Sequence, residues 1–497
     1  MIGGAVPSPR LREAIAAHAR HQPDRAALAH GGQQVTYRQL DRLIQELSAS
    51  LDSLRLDRRY PLCVPAHKTP ATIALLISAW QAGYATLTPS PELGPAARTA
   101  LTAQARCSQV LTTDSQGNLH AVPVPRDEQA ARGFDPADPA VTPLLLTTSG
   151  STGTPKIVPV PDGAFDRFAD WATGHFGLTR HDTLLSHAPL NFDLSLLDVW
   201  TALRLGARSV LVEHGLSTDA RHLRDLITRH QVTFVQGVPM LYRLLTEDSA
   251  ASPAVRTVLF TGETLPPALL RRLGAVFPRA TFHNVFGCTE TNDSFLYEAD
   301  PGRADGPVPI GRPLPGVRAL LVDGEGRVLD GPGTGELLVS TPFQTSGYLE
   351  RARNEGAFVP APDGGGQVFY RTGDLVTRDA DGLYRLRGRT DFQVKVRGVR
   401  TNVQEVESVL AAHPDVAEAA VVAIPDAEAG HRLHAQVTRR PGSSLTSLRL
   451  RSHSAAHLPR HAIPSSVHVS DTPLPRTPTG KPDRSFIRAS RQKETAA

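Results

Sequence analysis

Leu146-Thr-Thr-Ser-Gly-Ser-Thr-Gly-Thr-Pro-Lys156 follows an apolar run, Leu144 to Leu146, and ends on a lysine. It carries two glycines and six hydroxyl side chains. A strand end running into such a loop offers backbone N–H groups, hydroxyls and one cation to a bound anion, most naturally the phosphates of a nucleotide. The spacing is not that of a Walker A loop, which needs Gly-x-x-x-x-Gly-Lys-Ser/Thr leading into a helix. Here Pro155 stands directly before Lys156 and disfavours helix at the residue preceding it. Ser-Gly-Ser-Thr-Gly alone reads equally well as a flexible turn. The Thr-Pro-Lys that follows tips it towards a phosphate cradle.

A chain of 497 residues exceeds what one core supports, so two or more domains are expected. With 40% hydrophobic and 21% charged residues it has the composition of a soluble globular protein. The longest apolar stretch, Ile73 to Tyr84, is too short to span a bilayer and reads as a buried helix. Neither a membrane partner nor a signal peptide is expected. Cys63, Cys107 and Cys288 are too scattered for a disulfide framework or a zinc site, which fits a reducing cytoplasm. The net charge of +4 is mild, and the basic residues from Arg439 to Arg491 read as a solvated face or a docking face for an acidic partner. No aromatic-and-basic motif accompanies that charge, so nucleic acid is not an expected partner.

Strand-like runs alternate with helical patterns from about residue 26 to about 300, as in Thr183-Leu-Leu-Ser, Ser209-Val-Leu-Val, Val232-Thr-Phe-Val-Gln and Thr257-Val-Leu-Phe-Thr. Helical segments such as Leu223 to Arg229 and Pro267 to Phe277 lie between them. This alternation predicts an α/β fold with largely parallel sheets and helices on their faces. From Gly306 to Arg389 short strands and Gly/Pro-rich turns predict a β-rich subdomain. A compact α/β tail follows, with a helix over Val403 to Ala412 and a strand over Ala419 to Ile424. The boundary is placed at 389–391, giving domains of 1–390 and 391–497.

Further segments carry chemistry. Asn191-Phe-Asp-Leu-Ser195 places an acid after an apolar residue, and Asn284-Val-Phe-Gly-Cys-Thr-Glu290 ends in a hydroxyl and a carboxylate suited to a phosphate and its magnesium. Tyr370-Arg-Thr-Gly-Asp-Leu375 sets an acid beside a glycine, suited to a ribose diol. Gly388-Arg-Thr-Asp-Phe-Gln-Val-Lys-Val-Arg-Gly398 is rich in charge for a strand pair, and Thr479-Gly-Lys481 puts a lysine on a turn. Each alone also reads as a turn, a cap or a surface hairpin.

In this order, together with His21-Gln-Pro-Asp-Arg-Ala-Ala-Leu28, Gly335-Glu-Leu-Leu-Val, Ser346-Gly-Tyr-Leu349, Leu458-Pro-Arg-His-Ala-Ile-Pro464 and Pro478-Thr-Gly-Lys-Pro-Asp-Arg484, the motifs resemble the adenylate-forming superfamily. Within it they most resemble the amino-acid adenylation domains of nonribosomal peptide assembly. The resemblance implies a large N-terminal domain of several subdomains and a small mobile C-terminal domain. It also implies two half-reactions: a carboxylate and ATP give acyl-AMP and pyrophosphate, then a thiol displaces AMP. By motif position Thr147, Thr148, Ser149, Gly150, Ser151, Thr152, Gly153 and Lys156 would hold the phosphates. Gly262, Glu263, Asn284 and Phe286 would line the adenine site, Phe286 standing where a tyrosine is usual. Thr289 would contact the α-phosphate, Glu290 would hold magnesium, and Asp374 with Arg389 would bind the ribose. Lys481 would bridge substrate carboxylate and α-phosphate, and Asp391 would be the hinge of the C-terminal swing.

The same resemblance assigns Asp193 to the substrate's α-ammonium. A carboxylate about 4 Å from an ammonium is worth roughly 4 kcal/mol at an effective dielectric near 20, before desolvation. The alternative for Asp193 is to cap a helix starting near Leu194. Leu194, Leu197, Gln236, Leu259, Thr261, Val285, Asp293 and Ser294 would complete the acid pocket. Asp193-Leu194, Leu197 and Leu259 look like stand-alone enzymes that load proline onto carrier proteins. Gln236, Thr261, Asp293 and Ser294 are more polar than proline needs and fit a hydroxyl, amide or amine equally.

The chain stops thirteen residues after Arg484 with no carrier module, so action in trans on a separate phosphopantetheine-bearing peptidyl carrier protein is expected, in natural-product or antibiotic biosynthesis. Ile157 replaces a usual glycine, and Thr401-Asn-Val-Gln404 replaces the common Ile-Glu-x-Gly near the entry of the carrier arm. Two alternatives stand beside this expectation. An acid–CoA ligase would normally lack Asp193, and a non-catalytic nucleotide-binding protein would not need Glu290, Asp374 and Lys481 together.

Overall fold

The structure, a computed structural model, describes residues 11–125, 143–148, 155–248, 250–304, 306–361, 364–389, 393–426, 428–475 and 482–496. The chain divides into two compact units. One comprises Met1–Pro89, Ala103–Thr147 and Ile157–Gly388, the other Ser90–Thr102, Thr148–Lys156 and Arg389–Ala497.

The larger unit is built on a nine-stranded sheet. Its centre is parallel: β1 (Thr183–Ser186), β2 (Phe234–Gly237), β3 (Thr257–Thr261) and β4 (Thr281–Cys288) lie side by side in that order. On the other flank of β1 run Arg208–Leu211 and then Ala26–His30, also parallel. Antiparallel strands close the two edges, Gln33–Thr36 on one and β5 (Asn292–Ala299) with Arg312–Pro313 on the other. Because helices cover a parallel sheet on both faces, its strands are apolar on consecutive residues. Leu184 with Leu185 and Val258 through Phe260 are buried for that reason, and the sequence runs betray the strands.

A six-stranded sheet runs in spatial order Leu119–Pro123, Gln109–Thr113, Leu62–Cys63, Thr86–Leu87, Leu144–Thr148 and Lys156–Val160. The helix Pro70–Gln81 starts where Thr69 accepts the Thr72 N–H at 3.2 Å, with proline in its first turn. It is buried continuously from Thr72 to Trp80, as the apolar stretch predicted. Trp80 meets Trp200 edge to face at 4.8 Å, inside one apolar cluster that draws on both sheets through Leu62, Leu184 and Leu259.

The β-rich part is confirmed as five strands: Arg318–Val322, Gly333–Ser340, Phe358–Pro360, β6 (Val368–Arg378) and Tyr384–Arg389. Leu321, Leu337, Val339, Tyr348, Tyr370 and Val376 form its core.

The second unit contains a hairpin, Gln393–Val396 with Val399–Asn402, and a three-stranded sheet of Val416–Asp426, Gly430–Arg439 and Ser466–Ser470. The helix Val403–Ala411 packs Val406 and Leu410 against Val421, Ala435 and Val437. Arg484 anchors the last helix, Arg484–Ala496, through an ion pair with Glu407 at 2.6 Å. Among the described residues no helix is long and apolar enough to cross a membrane.

Candidate functional site

In an open parallel sheet the crevice for a ligand forms at the carboxyl ends of strands where the chain reverses its direction of travel across the sheet. That point lies between β1 and β2: after β1 the chain proceeds to Arg208–Leu211 on one flank, whereas β2, β3 and β4 extend the other. The segment leaving β1 carries Asp193, and the end of β2 carries Gln236. Gln236 Nε2 donates to the Leu194 carbonyl at 3.1 Å and so ties the two together across the reversal. Ser195 Oγ donates to the carbonyls of Leu190 (3.1 Å) and Phe192 (2.7 Å), fixing the turn that presents Asp193. Ser195 begins a helical run that continues as six residues of π-helix from Leu196 to Thr201. Asp193 stands two residues before that run, on the segment that Ser195 fixes.

Strand register sorts the other acid-pocket positions. Gln236 pairs with Leu259, and Thr261 with Val285, so these four side chains share one face of the sheet near its carboxyl edge. Leu197, Leu259 and Val285 are buried in the main core and give that face an apolar floor. Leu194 and Thr261 are partly exposed. On β5 simple alternation from Leu296, opposite Val285, would put Ser294 on the same face and turn Asp293 away. The register instead breaks: Phe286 opposes Phe295, then Gly287 opposes Asp293, and Ser294 is the extra residue of a bulge. Asp293 therefore joins the face of Val285. A Cβ at Gly287 would run into the Asn292 carbonyl, so only glycine permits this close hairpin. Ser294, fully buried, turns its hydroxyl into the hairpin instead, within 3.2 Å of Thr291 Oγ1 and 3.3 Å of the Asn292 carbonyl.

Burial raises the Asp293 carboxyl to about 8, and the negative charge of Asp193 adds to the shift. Two carboxylates far apart in the sequence thus come within electrostatic reach of each other.

Thr289 and Glu290 occupy the turn between β4 and β5. Glu290 is 3% exposed, and Tyr348 Oη donates to its Oε1 at 2.7 Å. Tyr370 Oη lies 3.3 Å from Tyr348 Oη. Burial, followed by the charge of Glu290, pushes the Tyr348 phenol upward, so it stays a donor. Tyr348 and Tyr370 belong to the segments 346–349 and 370–375, but a tyrosine in an apolar strand pattern gives no hint of its hydroxyl partner. Among the described residues no group of three or more His, Cys, Asp and Glu side chains gathers to hold an ion alone. Magnesium in nucleotide sites typically takes one or two carboxylates and completes its shell with phosphates and water. Glu290, a hard oxygen donor held by a hydroxyl, fits that demand.

Asp374 lies on β6, four residues beyond Tyr370, and is buried where Thr372 Oγ1 accepts its backbone N–H at 3.0 Å. Asn284 is buried and donates Nδ2 to the Pro309 carbonyl at 2.6 Å. Phe286 packs edge-on to Phe295 at 5.8 Å. Gly262 follows β3 with φ +86°, a conformation suited to glycine, and Glu263 beside it is partly exposed. Of the phosphate-loop positions, Thr147 and Thr148 end one strand and Lys156 begins another. Ser149, Gly150, Ser151, Thr152, Gly153, Asp391 and Lys481 lie outside the described residues, as does the side chain of Arg389.

Known proteins share this architecture and sequence. Residues 15–349 match the AMP-binding enzyme family, and residues 405–481 match the AMP-binding enzyme C-terminal domain. The L-proline–[L-prolyl-carrier protein] ligase of Streptomyces coelicolor is 37% identical over 74% of this chain and 71% of its own length. The ligase of the same name from Pseudomonas fluorescens is 31% identical over 93% of this chain and 95% of its own. Among solved structures, IdnL1 superposes with a TM-score of 0.78 at 27% identity, covering 95% of this chain and all of that one. PA1221, a nonribosomal peptide synthetase protein containing adenylation and carrier domains, superposes with a TM-score of 0.80 at 25% identity, over 97% of this chain and 84% of that one.

Proposed function

The chain belongs to the AMP-binding enzyme family, and from that premise we propose that it is an ATP-dependent amino acid–[carrier protein] ligase. It adenylates an amino acid and passes the acyl group to the phosphopantetheine thiol of a separate carrier protein, in natural-product biosynthesis. The observation that carries the reading is the placement of Asp193 at the strand-order reversal, on the sheet whose next hairpin turn bears Glu290.

In the first half-reaction a carboxylate oxygen bonds to the α-phosphorus while the bond from that phosphorus to the bridging oxygen breaks, releasing pyrophosphate. An anion attacking an anion is opposed by charge, so catalysis lies in positioning and in positive charge at the α-phosphate. No general base is required, because the nucleophile is already ionised. Magnesium supplies charge neutralisation at the phosphates when bound, and Glu290 is the residue that would hold it. Tyr348 fixes the Glu290 carboxylate. Thr289 is assigned to the α-phosphate, Asp374 and Arg389 to the ribose, Asn284, Phe286, Gly262 and Glu263 to the adenine, and residues 147–156 to the departing phosphates. Lys481 is assigned to the line between substrate carboxylate and α-phosphate. In the second half-reaction the carrier thiol attacks the acyl carbon and AMP leaves; the boundary at 390/391, with Asp391 as hinge, would let the C-terminal domain exchange Lys481 for the Lys395–Gly398 hairpin.

Asp193 favours amino acids over plain carboxylic acids and so separates this reading from an acid–CoA ligase. Proline is the acid named for both relatives. We place the enzyme in the cytoplasm, in keeping with three free cysteines, two of them buried. The test is pyrophosphate exchange across the proteinogenic amino acids and simple aryl and aliphatic acids, followed by loading of a phosphopantetheinylated carrier. Exchange with an amino acid and loading of the carrier support the reading. Exchange confined to acids without an α-amine, with free coenzyme A as acceptor, would replace it with the CoA ligase.

A further inference from the structure

The acid pocket holds one more anionic group than an α-amino acid needs. Of the polar side chains assigned to it, Gln236 spends a donor on the Leu194 carbonyl, and Ser294 spends its hydroxyl inside the β4–β5 hairpin. Asp293 is different. The bulge turns it onto the face shared with Gln236, Leu259, Thr261 and Val285, opposite Gly287. Its backbone N–H is bound by Asn292 Oδ1 at 2.8 Å, yet its carboxylate accepts no hydrogen bond from the described residues and forms no ion pair with them.

A largely desolvated carboxylate without a donor is costly, more so beside a second carboxylate. The upward shift of Asp293 records both costs. An α-ammonium assigned to Asp193 leaves Asp293 without a donor, and the proline ring offers it none. A ligand with a second positive nitrogen would supply one, with its methylenes against the apolar floor of Leu197, Leu259 and Val285.

Building on the function proposed above, we propose that the amino acid selected here is a diamino acid, with Asp193 taking its α-ammonium and Asp293 its side-chain ammonium. Asp293 is then the specificity-determining residue that separates this site from a proline pocket.

The experiment is pyrophosphate exchange by the full chain with 2,3-diaminopropionate, 2,4-diaminobutyrate, ornithine and lysine, each against its neutral isostere, and with proline. We expect one diamino acid to exceed its isostere and proline in kcat/KM by on the order of 10²-fold. Asp293→Leu should erase or invert that ratio while ATP binding, followed by calorimetry, stays unchanged. Asp293→Asn, closer in shape, should lower it as well. The parent's ratio decides the matter even where a variant folds poorly. Equal or better exchange with proline or a neutral acid overturns the inference and leaves amino-acid activation standing. Exchange with no amino acid overturns both. A diamino preference that survives Asp293→Leu in a folded, ATP-binding protein removes Asp293 from the assignment.

Discussion

The two ends of the candidate site are assembled in opposite ways. The nucleotide end is written in contiguous motifs: the loop at 147–156, Asn284 to Glu290, and Tyr370 to Leu375. Its geometry is then stiffened by contacts the motifs do not announce, above all Tyr348 on Glu290. The acid end is written in single residues from the segment after β1 and from strands β2 to β5, and the sheet alone brings Gln236, Leu259, Thr261, Val285 and Asp293 to one face. Phosphates present the same shape whatever acid is activated, so a local loop suffices for them. An amino-acid side chain must be enclosed from several directions, which no contiguous stretch can do.

That contrast can be broken at several points. At the nucleotide end, Lys481→Ala should lower amino-acid-dependent pyrophosphate exchange by on the order of 10² to 10³, with the circular dichroism of the parent. Near-normal exchange would remove Lys481 from the chemistry. At the acid end, Asp193→Ala should cost on the order of 10²-fold in kcat/KM for the preferred amino acid, while leaving ATP affinity intact. If ATP affinity fell in step, Asp193 would be a scaffold residue shared by both ends. Smaller still, Tyr348→Phe removes one hydrogen bond to a carboxylate and should raise the magnesium concentration for half-maximal exchange roughly tenfold. ATP binding measured without magnesium should not move; a loss there would make Tyr348 part of the nucleotide pocket itself.

The gentlest test uses pH. The Asp293 carboxyl titrates near 8 in the folded chain and near the ordinary carboxylate value when unfolded. A raised value means that the folded state holds its proton more tightly. Its contribution to stability is therefore full below the unfolded value and is lost as pH rises through about 8. Asp293→Asn carries no such penalty, so the variant should gain on the parent between pH 5 and pH 8. Discounted for the partial exposure of the side chain, the gain is about 1 kcal/mol. Parallel denaturation midpoints across that range would show that Asp293 is already solvated and ionised.

Much of the fold was legible because parallel strands buried on both faces leave consecutive apolar residues, as in Thr183–Ser186 and Thr257–Thr261. The helix at Pro70–Gln81 announced itself through a threonine cap, a first-turn proline and an unbroken apolar run. The π-helical start at Leu196 was not legible, because three- and four-residue apolar spacing does not distinguish it from an α-helix. Nor was the bulge at Ser294, since alternation of side chains in Asn292–Ala299 assigns Ser294, not Asp293, to the pocket face.

The sequence by itself determined the chemistry to be expected: a loop suited to phosphates, an acid suited to an ammonium, an acid suited to a metal and an ordered set of motifs from the adenylate-forming superfamily. These are local properties of residue type and spacing, and they survive without knowing which elements touch. Tertiary structure alone decided that Gln236 holds the Asp193 segment, that Tyr348 holds Glu290, and that Asp293 rather than Ser294 shares a sheet face with Leu259 and Val285. Those facts depend on strand order and register, where one extra residue in a hairpin turns a carboxylate from one face of a sheet to the other.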